Sequence, residues 1–196
     1  MKKSVGKSFL IEDTCSISLK FSWDCYKKQH SAGLIGGLLE KAASAVDCDA
    51  SAFLIEEKNG KKEVSGCVCY EQLTSEDGAV VHTGDNTTQG PKDMDEEINV
   101  DLGKVPSSVK AIVFTLDMLK EKRKHLMLGK LDQVKADISN SKTGDILGDY
   151  NIIGIGDKAI QVGMLVRQNE GWMYEPEVLE LKHVNDRAGL VSSIIF

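Results

Sequence analysis

No stretch of this chain approaches the roughly 18 consecutive apolar residues of a membrane-spanning helix. The opening Met1-Lys2-Lys3 is basic, but Ser8-Phe9-Leu10-Ile11-Glu12-Asp13 ends any apolar signal region after a few residues, so no targeting segment is expected. The catalytic signatures G-x-S-x-G, the phosphate-binding P-loop and H-E-x-x-H are all missing. So is the D-x-D-x-D-G spacing of an EF-hand. There is no internal repeat and no low-complexity tract. Cysteine numbers only five, an odd count with no secretory context, which argues against a disulfide framework. The reading that follows is a cytoplasmic chain with reduced thiols. Positive charge is also in deficit. A formal net charge of -6 and a pI near 5.3 oppose general attraction to nucleic acid or anionic membranes.

What is present suits one folded domain. The 196 residues are enough for a full core, and 41% are hydrophobic, as in a globular rather than a disordered chain. The unusual stretch is His82–Asp101, which holds six carboxylates: Asp85, Asp93, Asp95, Glu96, Glu97 and Asp101. Crowded like charges repel unless water, salt or a bound cation screens them. Asn86 and the neighbouring Thr and Gly residues add neutral oxygens and allow sharp bends. Calcium is the natural partner, because it accepts roughly six to eight oxygen ligands in adaptable geometry. A solvated acidic face is the alternative reading of the same residues. Upstream, Asp47 and Asp49 open an apolar run and share a face of an extended chain.

Three segments carry a resemblance: DCDASAFLIEE from Asp47, SEDGAVVHTGDN from Ser75, and DEEINVDL from Asp95 followed by KVPSSVKAIVF. In this order and at this spacing they resemble the tellurium-resistance (TerD-type) stress-protein family. The likeness extends to Ser22-Trp23-Asp24, to the run from Asp157 to Arg167, and to Glu170-Gly171-Trp172, so it spans nearly the whole of residues 1–196. It implies a mainly β, calcium-binding sandwich of two antiparallel sheets with a few short helices. The implied role is tolerance of tellurite, chemical damage and phage, as a regulator or scaffold without catalysis. The implied partners are calcium and other stress-operon proteins.

The metal ligands implied by the matching positions are Asp47, Asp49, Asp85, Asn86, Asp95 and Glu96, with Asp93 and Asp24 as secondary candidates. For Asp24 a turn-capping role is the alternative. The chain departs from the family pattern at Lys92, at Met94 and at Ser65-Gly66, where acidic residues are usual. An ammonium opposes a dication and a thioether is a soft ligand, so of one or two calcium ions, one sound site is expected.

Local patterns give the remaining expectations. Alternation predicts strands over Cys15–Phe21, Ala50–Glu57, Glu63–Leu73, Asn99–Leu102, Asp132–Ser139, Ile146–Ile153, Lys158–Gln168 and Trp172–Leu181. Val109–Leu116 is the strongest buried-strand signal. Along Lys158–Gln168 the expectation puts Ile160, Val162, Met164 and Val166 on one face. The stretch at about 29–46 is an apolar, glycine-bearing insert relative to the family. Leu119–His125 is a basic run. Cys67 and Cys69 share a face, and buried small side chains fit them better than a zinc site. His82 is expected to brace its loop by a hydrogen bond. Two other functions stand as alternatives: a small-ligand (cyclic nucleotide-like) binder, and a metal-dependent hydrolase using Asp/Glu pairs with His82.

Overall fold

A computed structural model describes residues 3–24, 48–84, 96–119, 132–152 and 157–196. Two antiparallel sheets face one another. The larger contains β1 (Lys3–Ser4), β2 (Phe9–Ile11), β4 (Asp49–Lys58), β5 (Lys61–Val68), β8 (Val109–Asp117), β11 (Ala159–Gln168), β12 (Gly171–Glu175) and β13 (Glu177–Glu180). Its main order is β1-β13-β11-β8-β4-β5, with β12 beside β11 and β2 beside β12. The smaller contains β3 (Ser16–Asp24), β6 (Val80–His82), β7 (Glu96–Asp101), β9 (Asp132–Asn140) and β10 (Ile146–Asn151), in the order β10-β9-β3-β7-β6. The one helix among the described residues, α1 (Arg187–Ser193), is capped by Asp186, whose carboxylate accepts from the Gly189 amide. The expected sandwich of antiparallel sheets is therefore the observed fold. No helix among the described residues is long and apolar enough to cross a membrane.

The alternating strands place their apolar residues as the pattern requires. Ile17, Leu19 and Phe21 of β3, and Val134, Ala136 and Ile138 of β9, are all buried between the sheets. β4 and β8 lie centrally in the large sheet and are buried on both sides. Their inner faces (Ala52, Leu54, Ile112, Phe114) meet the small sheet, while Phe53, Ile55, Ala111 and Val113 pack beneath Leu190 and Ile194 at the C-terminus. This second apolar layer explains why Val109–Asp117 reads as a continuous apolar run rather than an alternating one. The Lys58–Lys61 turn is a two-residue hairpin loop with Asn59 and Gly60 both at positive φ (53° and 74°), the backbone signature of a type I′ turn.

Three strand boundaries and one strand register depart from the sequence reading in ways that have a physical cause. The strand expected over Glu63–Leu73 ends at Val68, because Cys69 and Gln72 exchange backbone hydrogen bonds and close a tight turn. The strand expected to begin at Asn99 begins at Glu96. Trp172–Leu181 is two strands, because Pro176 has no amide to donate and interrupts the ladder. In β11 the register shifts between Gln161 and Gly163. One extra residue there reverses the face parity: Ile160, Val162 and Leu165 enter the inter-sheet core, while Met164 and Val166 join the outer layer.

Arg167 ties the end of β11 to the loop before β8. Its Nε donates to the Val109 carbonyl at 2.9 Å, and its Nη2 donates to those of Val105 and Pro106, each at 3.0 Å. The guanidinium also lies 4.2 Å from the centroid of the buried Trp172 ring. Truncation leaves three carbonyls without this donor and uncovers the indole. Arg167→Ala is expected to lower stability by about 2–4 kcal/mol in urea unfolding. Arg167→Lys is expected to recover less than half of that, because an ammonium cannot reproduce the planar fork. Equal stability of the Lys variant and the parent would show that charge alone, not fork geometry, is what matters.

Candidate metal centre

The acidic segment joins the sandwich at one end, between His82-Thr83-Gly84 and the start of β7. Of the sequence-predicted ligands, Asp49 and Glu96 are described with their side chains. Asp24 is the last residue of β3. Asp47, Asp85, Asn86, Asp93 and Asp95 lie outside the described residues, as do the insert at about 29–46 and all but the first residue of the basic run.

Glu96 opens β7, and the parity that sends Ile98 and Val100 into the core sends Glu96 inward too. It is 3% exposed. β5 stops at Val68, opposite Ala52, so the first residues of β4 run on past the end of that neighbour. Glu96 reaches across from the small sheet and accepts from the Ala50 amide, Oε2 to N 3.3 Å. A buried carboxylate thus links the two sheets beside Asp49, which is itself 1% exposed.

His82 is the third member. It pairs with Ile98 in the ladder and points inward from β6. Its Nδ1 accepts from the Gly84 amide at 3.0 Å, so the Nε2 position carries the proton of the neutral ring. That Nε2 lies 2.5 Å from Glu96 Oε2, a close approach that is not aligned as a hydrogen bond. The loop-bracing role expected of His82 is the geometry found: the ring fixes Gly84, the last described residue before the acidic segment.

Sequence reasoning passed over Asp117. It is the strand partner of Asp49, is 1% exposed, and accepts a hydrogen bond from the Leu119 amide at 3.1 Å. Arg187 of α1 approaches it at 3.5 Å and donates to Ser51 Oγ at 2.8 Å. Nothing local marks Asp117, because its counter-charge comes from a helix 70 residues later in the chain. Among the described residues, no group of three or more His, Cys, Asp or Glu side chains is arranged to hold a metal. What they offer a hard cation is two buried carboxylates, Asp49 and Glu96, at the adjoining ends of the sheets. All-oxygen donors of this kind fit calcium chemistry.

The class defined here is an antiparallel β-sandwich with two buried carboxylates, Asp49 and Glu96, at adjoining strand ends. The TerD domain family matches residues 10–176, and the chain belongs to that family. Its relatives include the tellurium resistance protein TerZ of Serratia marcescens, 31% identical over 157 residues, which cover 76% of this chain and 72% of that one. The tellurium resistance protein TerD of the same organism is 30% identical over 130 residues, 65% of this chain and 68% of its own. General stress protein 16U of Bacillus subtilis (strain 168) is 28% identical over 134 residues, 65% and 67% of the two chains. Among solved structures, a homologue of telluride resistance protein (TerD), SCO6318 from Streptomyces coelicolor A3(2), superposes with a TM-score of 0.67 at 13% identity. It covers 91% of this chain and 95% of that one, a likeness of fold alone.

Proposed function

We propose that this member of the tellurium-resistance and stress-response family is a non-catalytic calcium-binding protein that acts as a regulator or scaffold among other stress proteins. The observation supporting this most is the burial of Asp49 and Glu96 together where the acidic segment meets the sheets. Burying carboxylates disfavours their charged form unless a cation or hydrogen bonds compensate. On this reading Asp49 and Glu96 anchor the ion, and Asp47, Asp85, Asn86, Asp93 and Asp95 supply further oxygens from the flanking loops. His82 holds Gly84 and so the point at which the loop leaves the sheet. Calcium would contribute ordering of the loop rather than activation of a nucleophile.

Calorimetry on metal-stripped protein tests this. Calcium is expected to bind at least about tenfold more tightly than magnesium, which demands tight octahedral geometry and sheds its waters reluctantly. Glu96→Gln keeps the shape and removes one charge, and is expected to weaken calcium by at least about tenfold, or ~1.4 kcal/mol. Equal affinities for the two ions, or heat released only with zinc, would overturn the oxygen-ligand assignment.

A further inference from the structure

The outer side of the large sheet is covered by its own chain. Phe53, Ile55 and Val113 turn outward from β4 and β8, and Leu190, Ile194 and Phe196 belong to the same apolar layer. The family match covers residues 10–176, so this cover is supplied from beyond it. Buried polar side chains of the face hold the cover in register. Gln161, 1% exposed, clasps the backbone of Ile195: its Nε2 donates to the Ile195 carbonyl at 2.9 Å, and its Oε1 accepts from the Ile195 amide at 3.2 Å. Ser51 Oγ accepts from Arg187 Nη1 at 2.8 Å, and Asp117 Oδ2 lies 3.5 Å from the same nitrogen.

The connection to this cover is short and strained. Among the described residues, Leu181 makes the last backbone hydrogen bond to the sheet, donating to the Ala159 carbonyl at 3.0 Å. Val184 is already buried in the outer layer, so only Lys182 and His183, both exposed, join the sheet to its cover. His183 has φ +62° while Lys182 does not share the positive φ, a turn pattern that favours glycine at the second position. A side chain there meets a neighbouring carbonyl oxygen. Asn59, the other non-glycine residue at positive φ among the described residues, sits in a hairpin turn that calls for it. His183 takes the same region where the chain folds back over its own sheet.

We infer that residues 184–196 exchange between two copies of this chain, each segment docking on the other copy's outer face in a closed two-fold dimer. The two faces are identical, so every apolar and polar contact of the segment is reproduced on the partner. What changes is the hinge. Lys182 and His183 straighten, and His183 leaves the left-handed region. Short hinge loops under strain invite exchange for this reason. The helix of seven residues is too short to persist undocked, so the segment rests either on its own face or on that of another copy. A foreign segment fits less well, because Gln161 would stay buried without the Ile195 backbone and Asp117 would lose its guanidinium. The exchange uses none of the proposed calcium ligands and stands apart from that reading.

Sedimentation of the full chain, refolded over a series of concentrations, tests this with two hinge substitutions at the exposed His183. His183→Pro fixes φ near −65°, which the folded-back hinge cannot adopt, and is expected to tighten the dimer by at least about tenfold. His183→Gly removes the strain and is expected to weaken the dimer by at least about tenfold relative to the parent. Equal dissociation constants for the three chains, or chains that stay monomeric throughout, would overturn the proposal. The contact itself is read in dimers refolded from a mixture of isotope-labelled and unlabelled parent chains. Nuclear Overhauser contacts between Ile195 and Gln161 are expected to run from one chain to the other. Contacts confined within each chain would mean pairing through another surface and would equally overturn it. If the proline variant does not fold, the parent and His183→Gly decide the question.

Discussion

Calcium at about a hundred times its dissociation constant is expected to stabilise the metal-free protein by about 2.7 kcal/mol. For a chain of this size that corresponds to a rise in Tm of roughly 5–11 °C. The physical source is differential binding. Only the folded chain brings Glu96, carried inward by β7, to the Ala50 amide next to Asp49, so an ion gathered there binds the native state and not the unfolded one. Its charge also offsets the cost of holding these carboxylates away from water. A chelator is expected to reverse the gain, and Glu96→Gln to reduce it. Thermal melts with calcium, with magnesium and with chelator are the measurement. A Tm indifferent to all three would count against any site formed by the folded state.

Gly171→Ala is expected to be the most damaging such substitution among the described glycines, costing about 4 kcal/mol and lowering the Tm by roughly 8–16 °C. Gly171 begins β12 at φ +121°, and a Cβ there would lie 2.3 Å from the Ile11 carbonyl oxygen. That carbonyl belongs to β2, which pairs with β12 through Ile11 opposite Trp172. The new atom therefore pushes against backbone that cannot rotate aside, and β2 must leave the sheet or β12 must shift. Trp172, fully buried in the inter-sheet core, moves with it. Gly60→Ala is the control. It also sits at positive φ (74°), but nothing lies within 4 Å of the added atom, so only the backbone preference is lost, about 1 kcal/mol. Urea unfolding of the two variants separates clash from conformational strain. Equal losses would show that β2 yields without cost.

Strand identity was legible wherever one face of a strand is dry. Ile17, Leu19 and Phe21, or Val134, Ala136 and Ile138, alternate with polar residues because a two-residue period is the geometry of an extended chain. The two sides of β8 were legible as an apolar run for the complementary reason, burial on both faces. The bulge in β11 was not legible. Ile160, Val162, Met164 and Val166 keep their alternation in sequence, and only the partner strand β8 reveals that one residue has slipped. The helix α1 went unread because its seven residues carry too little periodicity to announce themselves.

The candidate site divides in the same way. Composition alone made the acidic loop conspicuous, and the order of three motifs gave the family. Composition could not rank the carboxylates, because adjacent Glu96 and Glu97 are chemically the same; only the resemblance put Glu96 among the implied ligands and left Glu97 out. Parity along β7 separates them: Glu96 turns inward to the Ala50 amide, while Glu97 faces out, accepting from Ser18 at 2.7 Å with Lys20 4.0 Å away. Cys67 and Cys69 read as small buried side chains, and Arg187 and Asp117 carried no local signal at all. Face and composition are properties of a few neighbouring residues, so the sequence by itself determined strands, sandwich class and family. Where a strand stops, which carboxylate is buried and which side chains Arg187 reaches depend on segments up to 136 residues apart, as Ser51 and Arg187 are. Those pairings exist only once β4, β5, β8 and the C-terminal helix have packed, and the tertiary structure alone decided them.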